Sequence, residues 1–182
     1  MRPPPFLPEV LDHDGRFVRD RTTGLIYHRA HNRVLYADTD RSGIVYHANY
    51  LRYFELGRAS LMRDVGFPYA EVEQSGFVYP IVDLRLRYHQ PLVYDDPMWI
   101  HTRPAALERV RVRFDYVIVH AESGALVCRG HTLHCALNAK GRPTAVDPIT
   151  VKTWETFPNA LTADPAEPEG QSKPDAASRN TR

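Results

Sequence analysis

Cysteine is scarce in this chain: 182 residues include only Cys128 and Cys135, which excludes a disulfide-stapled scaffold. The two lie seven apart in a segment of strand character. An odd spacing on a strand sends side chains to opposite faces, so no bridge between them is expected. They read as two reduced cysteines in a cytoplasmic protein. An excess of one charge is also missing. Lys plus Arg total 23 and Asp plus Glu 22, a formal net charge of +1, so no bulk pull toward nucleic acid or an anionic membrane is expected. Long apolar runs are absent: the longest holds four residues, as at Tyr116–Val119, which is too short for a transmembrane helix. Met1-Arg2-Pro3-Pro4-Pro5 leads into no apolar stretch, so a secretory signal is not expected.

What is present is an ordinary globular balance, 43% hydrophobic and 25% charged, on a length that supports one domain with its own core. Residues 158–182 hold prolines, acids, Ala, Ser and Gln with almost no large apolar group, and are expected to form a disordered tail. Residues 1–30 read as an extension, with a hairpin over Arg16–His28 around Thr22-Thr23-Gly24. The domain itself is expected over residues 31–157.

Inside it, Tyr50, Phe54, Leu61 and Val65 recur with helical period, flanked by Leu51 and Met62, and predict a helix over about His47–Val65. Gly57 interrupts that stripe at a cost of about 1 kcal/mol, which points to close backbone packing. Gly66 and Pro68 end the helix, and Pro68–Ser75 suggests a short second one. The period then changes to two. Val82, Leu84, Leu86 and Tyr88 alternate with polar residues, as do Val110, Val112, Phe114, Tyr116 and Ile118 with Arg109, Arg111, Arg113 and Asp115. This is the pattern of an antiparallel sheet with one apolar face. Further strands fit at Asn32–Tyr36, Pro97–Leu107 and Leu126–Asn138. One apolar helix and one such sheet bury each other in an α+β fold.

The chemistry is concentrated in Tyr36-Ala37-Asp38-Thr39-Asp40-Arg41-Ser42-Gly43-Ile44-Val45-Tyr46-His47-Ala48-Asn49-Tyr50, a loop that delivers Asp40 and His47 to a helix N-terminus. Such an end carries unpaired N–H groups and partial positive charge, and holds an oxyanion, a phosphate or a thioester carbonyl. Either acid could instead organise the loop as an Asx turn, the preferred reading for Asp38. His47 could be a satisfied surface or core histidine, Tyr50 reads as core, and Glu55 and Arg58 read as an i,i+3 pair. His131 and His134 point to opposite faces of a strand, so no metal site is expected with Cys135.

Asp-x-Asp-x-x-Gly-x-Val-x-His-x-x-Tyr, followed by Leu51-Arg52-Tyr53-Phe54-Glu55, resembles the hotdog-fold thioesterases. More narrowly it resembles the YbgC-type acyl-CoA thioesterases and their 4-hydroxybenzoyl-CoA thioesterase relatives, over about residues 31–155. The resemblance implies a central helix wrapped by a curved antiparallel sheet. It implies hydrolysis of acyl-CoA to carboxylate and CoA, with acyl carrier protein thioesters the nearest alternative. Asp40 matches the catalytic acid, as nucleophile or general base. His47 matches the YbgC branch, since the hydroxybenzoyl branch has an aromatic residue there. The family's oxyanion amides map near His47 and Val78. Tyr36, Arg41, Gly43 and Asn49 line the implied substrate site, and Arg109 and Arg111 are candidates for the CoA phosphates. Glu55 is a reserve catalytic acid. Arg41 departs from the small residue usual after the aspartate and bears on which acyl group fits. No cofactor is implied, CoA being part of the substrate. Family sites lie between subunits, which implies a homodimer or homotetramer. A non-catalytic acyl-CoA-binding hotdog is the rival reading, and a dehydratase a remoter one.

Overall fold

The structure is a computed structural model that describes residues 4–157. The described residues form seven strands and three helices. In chain order they are β1 (Pro8–Val10), β2 (Phe17–Asp20), β3 (Ile26–Arg33), α1 (Asn49–Asp64), α2 (Tyr69–Gln74), β4 (Ile81–Tyr88), β5 (Pro97–Leu107), β6 (Arg111–His120), β7 (Leu126–Cys135) and α3 (Pro148–Thr156), with a 3-10 turn at Tyr36–Asp38. The strands form one antiparallel sheet in the order β1-β2-β3-β5-β6-β7-β4. This is the α+β hotdog expected from the sequence. The proposed 158–182 tail lies outside the described residues.

The helix forms where the stripe predicts it. Tyr50, Tyr53, Phe54, Gly57, Leu61 and Met62 face inward, against β3 and β5. A Cβ on Gly57 would stand 2.6 Å from Ile100 Cγ2 and closer still to Thr102 Oγ1, so the missing side chain is what lets α1 lie on the sheet. Phe54 stacks on Tyr116 at 4.2 Å between ring centroids. α3 closes the core with Trp154. Asp147 caps it by accepting from the Ile149 and Thr150 amides at 2.8 and 3.0 Å, and Tyr79 donates its hydroxyl to the same carboxylate at 2.6 Å.

Four expectations change. The strand expected at Asn32–Tyr36 is Ile26–Arg33 instead. Val34 leaves the sheet because it exchanges backbone hydrogen bonds with Asp95 and Asp96, after which the chain turns at Tyr36. The boundary expected after residue 30 therefore falls inside β3. The residues before it are part of the sheet, and β2 and β3 form a hairpin whose turn is held by the buried Asp20 carboxylate, an acceptor for Thr22 and Thr23.

The sheet also does not have one solvated face. Phe6, Val18, Leu25, Tyr27, Val117 and Val119 form a second apolar cluster on the face away from α1. Val117 and Val119 are apolar on the strand face opposite Tyr116 and Ile118, and the N-terminal segment covers them. Arg103 and Asp115 are buried there as an ion pair at 3.0 Å. Arg113 is half-buried on Asp115, while Arg109 and Arg111 stay exposed. Finally, β4 is not half-buried. Val82, Leu84 and Tyr88 are 52%, 42% and 47% exposed, because β4 is a sheet edge with no strand beyond it among the described residues.

Candidate active site

The two loop aspartates have different surroundings. Asp38 is buried; its carboxylate accepts from Arg52 at 3.0 Å, the Tyr53 hydroxyl at 2.8 Å and the Leu35 amide at 3.2 Å. Its carbonyl accepts from Asn49 Nδ2 and the Tyr46 amide, both at 2.9 Å. Asp38 thus fastens the loop to the first turn of α1, and Asn49 is committed to the same task. Burial and the Asp38 carboxylate push the Tyr53 hydroxyl pKa up, so that proton stays on the tyrosine.

Asp40 is exposed at the tip of a tight reversal. Its amide donates to the Ile44 carbonyl at 2.9 Å, and Gly43 donates back to the Asp40 carbonyl at 2.9 Å. Gly43 takes the positive φ of +75° that this reversal needs and that a β-carbon would strain. One carboxylate oxygen accepts from the Ser42 amide at 2.7 Å, and the other has no hydrogen bond among the described residues. Seven residues after Asp40, the exposed His47 ring packs on Tyr46 at 4.2 Å, and Tyr88 donates its hydroxyl to the His47 carbonyl at 2.7 Å. That bond ties the loop to the last residue of β4.

α1 begins without a side-chain cap, Ala48 being its N-cap residue. The amides of His47 and Ala48 have no acceptor among the described residues. An uncapped, exposed helix start leaves amide donors of the kind that can hold an oxyanion, and the loop that leads into it carries a carboxylate with an open oxygen. In the same loop Arg41 is exposed, and Tyr36 is 78% exposed with its ring against Tyr94.

Other predicted residues lie elsewhere. The Val78 amide already donates to the Leu137 carbonyl at 3.1 Å, so it is not free to hold an oxyanion and that expectation is corrected. Arg109 and Arg111 lie at the far end of the sheet. Arg111 pairs with Cys135, beside the Ile81–His134 pair, whereas His47 adjoins Tyr88 at the other end of β4. Seven strand residues separate the two ends, roughly 23 Å. Glu55 is 74% exposed on α1, 3.9 Å from Arg58. Sequence reasoning missed a cleft of about 390 Å³ under α1, lined by Arg58, Tyr69, Tyr116, Thr132 and His134 and opening beside Ile81. These residues come from four elements and share no local pattern.

Residues 34–165 match the thioesterase-like superfamily, and the chain belongs to that family. YneP of Bacillus subtilis is 48% identical over 69 residues, 38% of this chain and half of YneP. The acyl-CoA thioester hydrolase YbgC of Escherichia coli O157:H7 is 28% identical over 114 residues, covering 63% of this chain and 85% of YbgC. Among solved structures, the DHNA-CoA thioesterase of Staphylococcus aureus superposes with a TM-score of 0.67 at 28% identity, over 71% of this chain and 89% of that one. Among the described residues no helix is long and apolar enough to cross a membrane.

Proposed function

We propose that this protein hydrolyses an acyl-CoA thioester, with Asp40 as the reacting carboxylate. The observation that carries the reading is one loop that holds both Asp40, with one carboxylate oxygen open, and the unpaired amides of His47 and Ala48 at the uncapped start of α1. As the thioester carbonyl is attacked, negative charge grows on its oxygen, and those amides meet it where the helix dipole is also favourable. Asp40 attacks the carbonyl carbon to give a mixed anhydride that water cleaves, or takes the proton of the attacking water. In both routes the C–S bond breaks, CoA leaves as the thiol and the acyl group as a carboxylate. The exposed His47 ring assists from the same rim.

The active unit is a homodimer joined along β4. Ile81, Val82, Leu84 and Tyr88 expose apolar surface on an unpaired edge, an arrangement that single chains avoid. Antiparallel pairing of β4 with its copy about a two-fold axis sets the Tyr88 end of one strand against the Ile81 end of the other. The loop of Asp40 and His47 then meets the second copy's cleft mouth and its end of the sheet with Arg109 and Arg111, cations suited to CoA phosphates. The related protein names, thioester hydrolase and CoA thioesterase, agree with this substrate class.

Thiol release from a panel of short, aromatic and long-chain acyl-CoAs tests the proposal, with Asp40→Asn as control. Turnover that falls at least about 100-fold in Asp40→Asn supports it. No release from any substrate sinks the hydrolase reading and favours a non-catalytic acyl-CoA binder, whereas full activity in Asp40→Asn removes Asp40 as the reacting carboxylate.

A further inference from the structure

Three polar side chains that line the cleft under α1 form one hydrogen-bond chain. His134 Nδ1 lies 2.9 Å from the Tyr79 carbonyl, which only accepts, so Nδ1 carries the ring proton. Burial, aided by the nearby Arg58 cation, lowers the His134 pKa to about 4, so the ring is neutral and Nε2 is an acceptor. Thr132 therefore donates to Nε2 at 2.8 Å, and Tyr116 donates to Thr132 at 3.1 Å. Each side-chain donor in that chain is spent inside the protein. Arg52, at the cleft's other end, is paired with Asp38 at 3.0 Å.

Arg58 stands outside that chain. Its side chain is 12% exposed, its guanidinium lies 4.7 Å from the Tyr69 ring centroid, and its ion-pair contact is Glu55 at 3.9 Å. No hydrogen bond to Arg58 is formed among the described residues. A planar fork of five N–H donors held over an aromatic face in a cleft of about 390 Å³ suits one ligand group above others, a carboxylate taken in two parallel hydrogen bonds. Glu55 at 3.9 Å is too distant for such bonds, and it and Glu73 at the rim are exposed, so solvent screens both. The cleft's size is that of a small-molecule site, about 300–1,000 Å³, and its lining includes Ile81, an exposed residue of the β4 edge along which the proposed second copy pairs.

From this geometry we infer that the cleft receives the acyl chain and that Arg58 selects acyl groups ending in a carboxylate, so that the preferred substrates are ω-carboxyacyl-CoA thioesters. The inference rests on the thioesterase reading above and specifies its substrate.

The test is kcat/KM by thiol release on matched pairs: butanedioyl-, pentanedioyl- and hexanedioyl-CoA against butanoyl-, pentanoyl- and hexanoyl-CoA. The expected result is a preference for the diacid member of about tenfold to a hundredfold in at least one pair, the range for a hydrogen bond to a charged group. Arg58→Met should bring that ratio to about one. Arg58→Lys, which keeps the charge and loses the fork, should give an intermediate ratio and serves if the Met variant folds poorly by its melting curve. A neutral member preferred in every pair, or a ratio unchanged in both variants, overturns the role of Arg58 while leaving hydrolysis intact. Thiol release from none of the six, nor from aromatic or long-chain acyl-CoAs, overturns the hydrolase reading and this inference with it.

Discussion

Gly57→Ala should separate what holds α1 on the sheet from what α1 does at its N-terminus. The added Cβ would lie 2.6 Å from Ile100 Cγ2 and nearer to Thr102 Oγ1, whereas ordinary contact begins near 3.4 Å. Ile100 and Thr102 are both fully buried on β5 and β-branched, hence stiff at χ1. The helix must therefore lift by about 0.8 Å to clear Ile100 and by somewhat more to clear Thr102. Overpacking of this kind costs about 1–3 kcal/mol, and replacing a mid-helix glycine with alanine returns about 1 kcal/mol. The net loss is about 0–2 kcal/mol, which at about 2–4 °C per kcal/mol for a chain this size lowers Tm by no more than about 8 °C. The catalytic penalty is larger, because the amides of His47 and Ala48 ride on the displaced helix and a misplacement near 1 Å can cost about 100-fold. Urea unfolding and kcat/KM on one purified variant measure both. The expected outcome is a modest stability loss with activity down about tenfold or more. A Gly57→Ala protein as stable and as active as the parent would refute both the close-packing reading and the coupling of helix position to the oxyanion amides.

Leu84→Lys puts a charge in the middle of the exposed β4 edge and should convert the dimer to a monomer at micromolar concentration, with activity lost in parallel. Light scattering checks this, and a variant that stays dimeric rules out β4 as the joint. Stability should also fall with acid. Burial lowers the pKa of His101 to about 3 and of His134 to about 4, and that of His28 in the same direction. The unfolded chain, with histidines near 6.5, therefore binds more protons than the folded one below that pH. The stability these groups contribute is complete above about pH 6.5 and is lost as pH falls toward 4, by up to about 1.4 kcal/mol per pH unit for each histidine. Urea midpoints measured from pH 7.5 to 5 should decline, and decline less steeply in His134→Gln; a flat profile would contradict the buried neutral histidines.

The sequence carried much of the fold because most of its elements announce themselves locally. The stripe Tyr50, Phe54, Leu61 needs no tertiary information to read as a helix, and Pro97–Leu107 is bounded by its own turn residues. The N-terminal strands were less legible, since each is short and polar. The signal that something covers the outer face was nevertheless present in Val117 and Val119, where β6 turns apolar on both sides. Asp147-Pro148 was likewise a readable helix start, an acceptor side chain followed by a residue with no N–H to lose. What no local pattern could give was hydrogen-bond occupancy. Val78 has an amide like any other until Leu137 is found opposite it, and His134 is tied to Thr132, Tyr116 and Tyr79 only through strand register.

The same limit explains why Asp38 and Asp40 look alike in sequence and differ in space. Their roles are divided by Arg52 and Tyr53, one helical turn into α1, which reach back to Asp38 and to no other acid. Two neutralising donors and a buried position suit a carboxylate that holds a loop still, and they deprive it of the open lone pair a reacting group needs. Asp40 receives only the Ser42 amide and remains open on the solvent side. In a single chain that openness would be a poor setting for catalysis, because water would weaken both the carboxylate's attack and the pull of the helix amides. The exposed edge of β4 offers the remedy. Pairing with a second copy would cover the loop and bring a cleft and cations to it, so under the proposed function the exposed apolar strand and the exposed Asp40 carboxylate would complete one another.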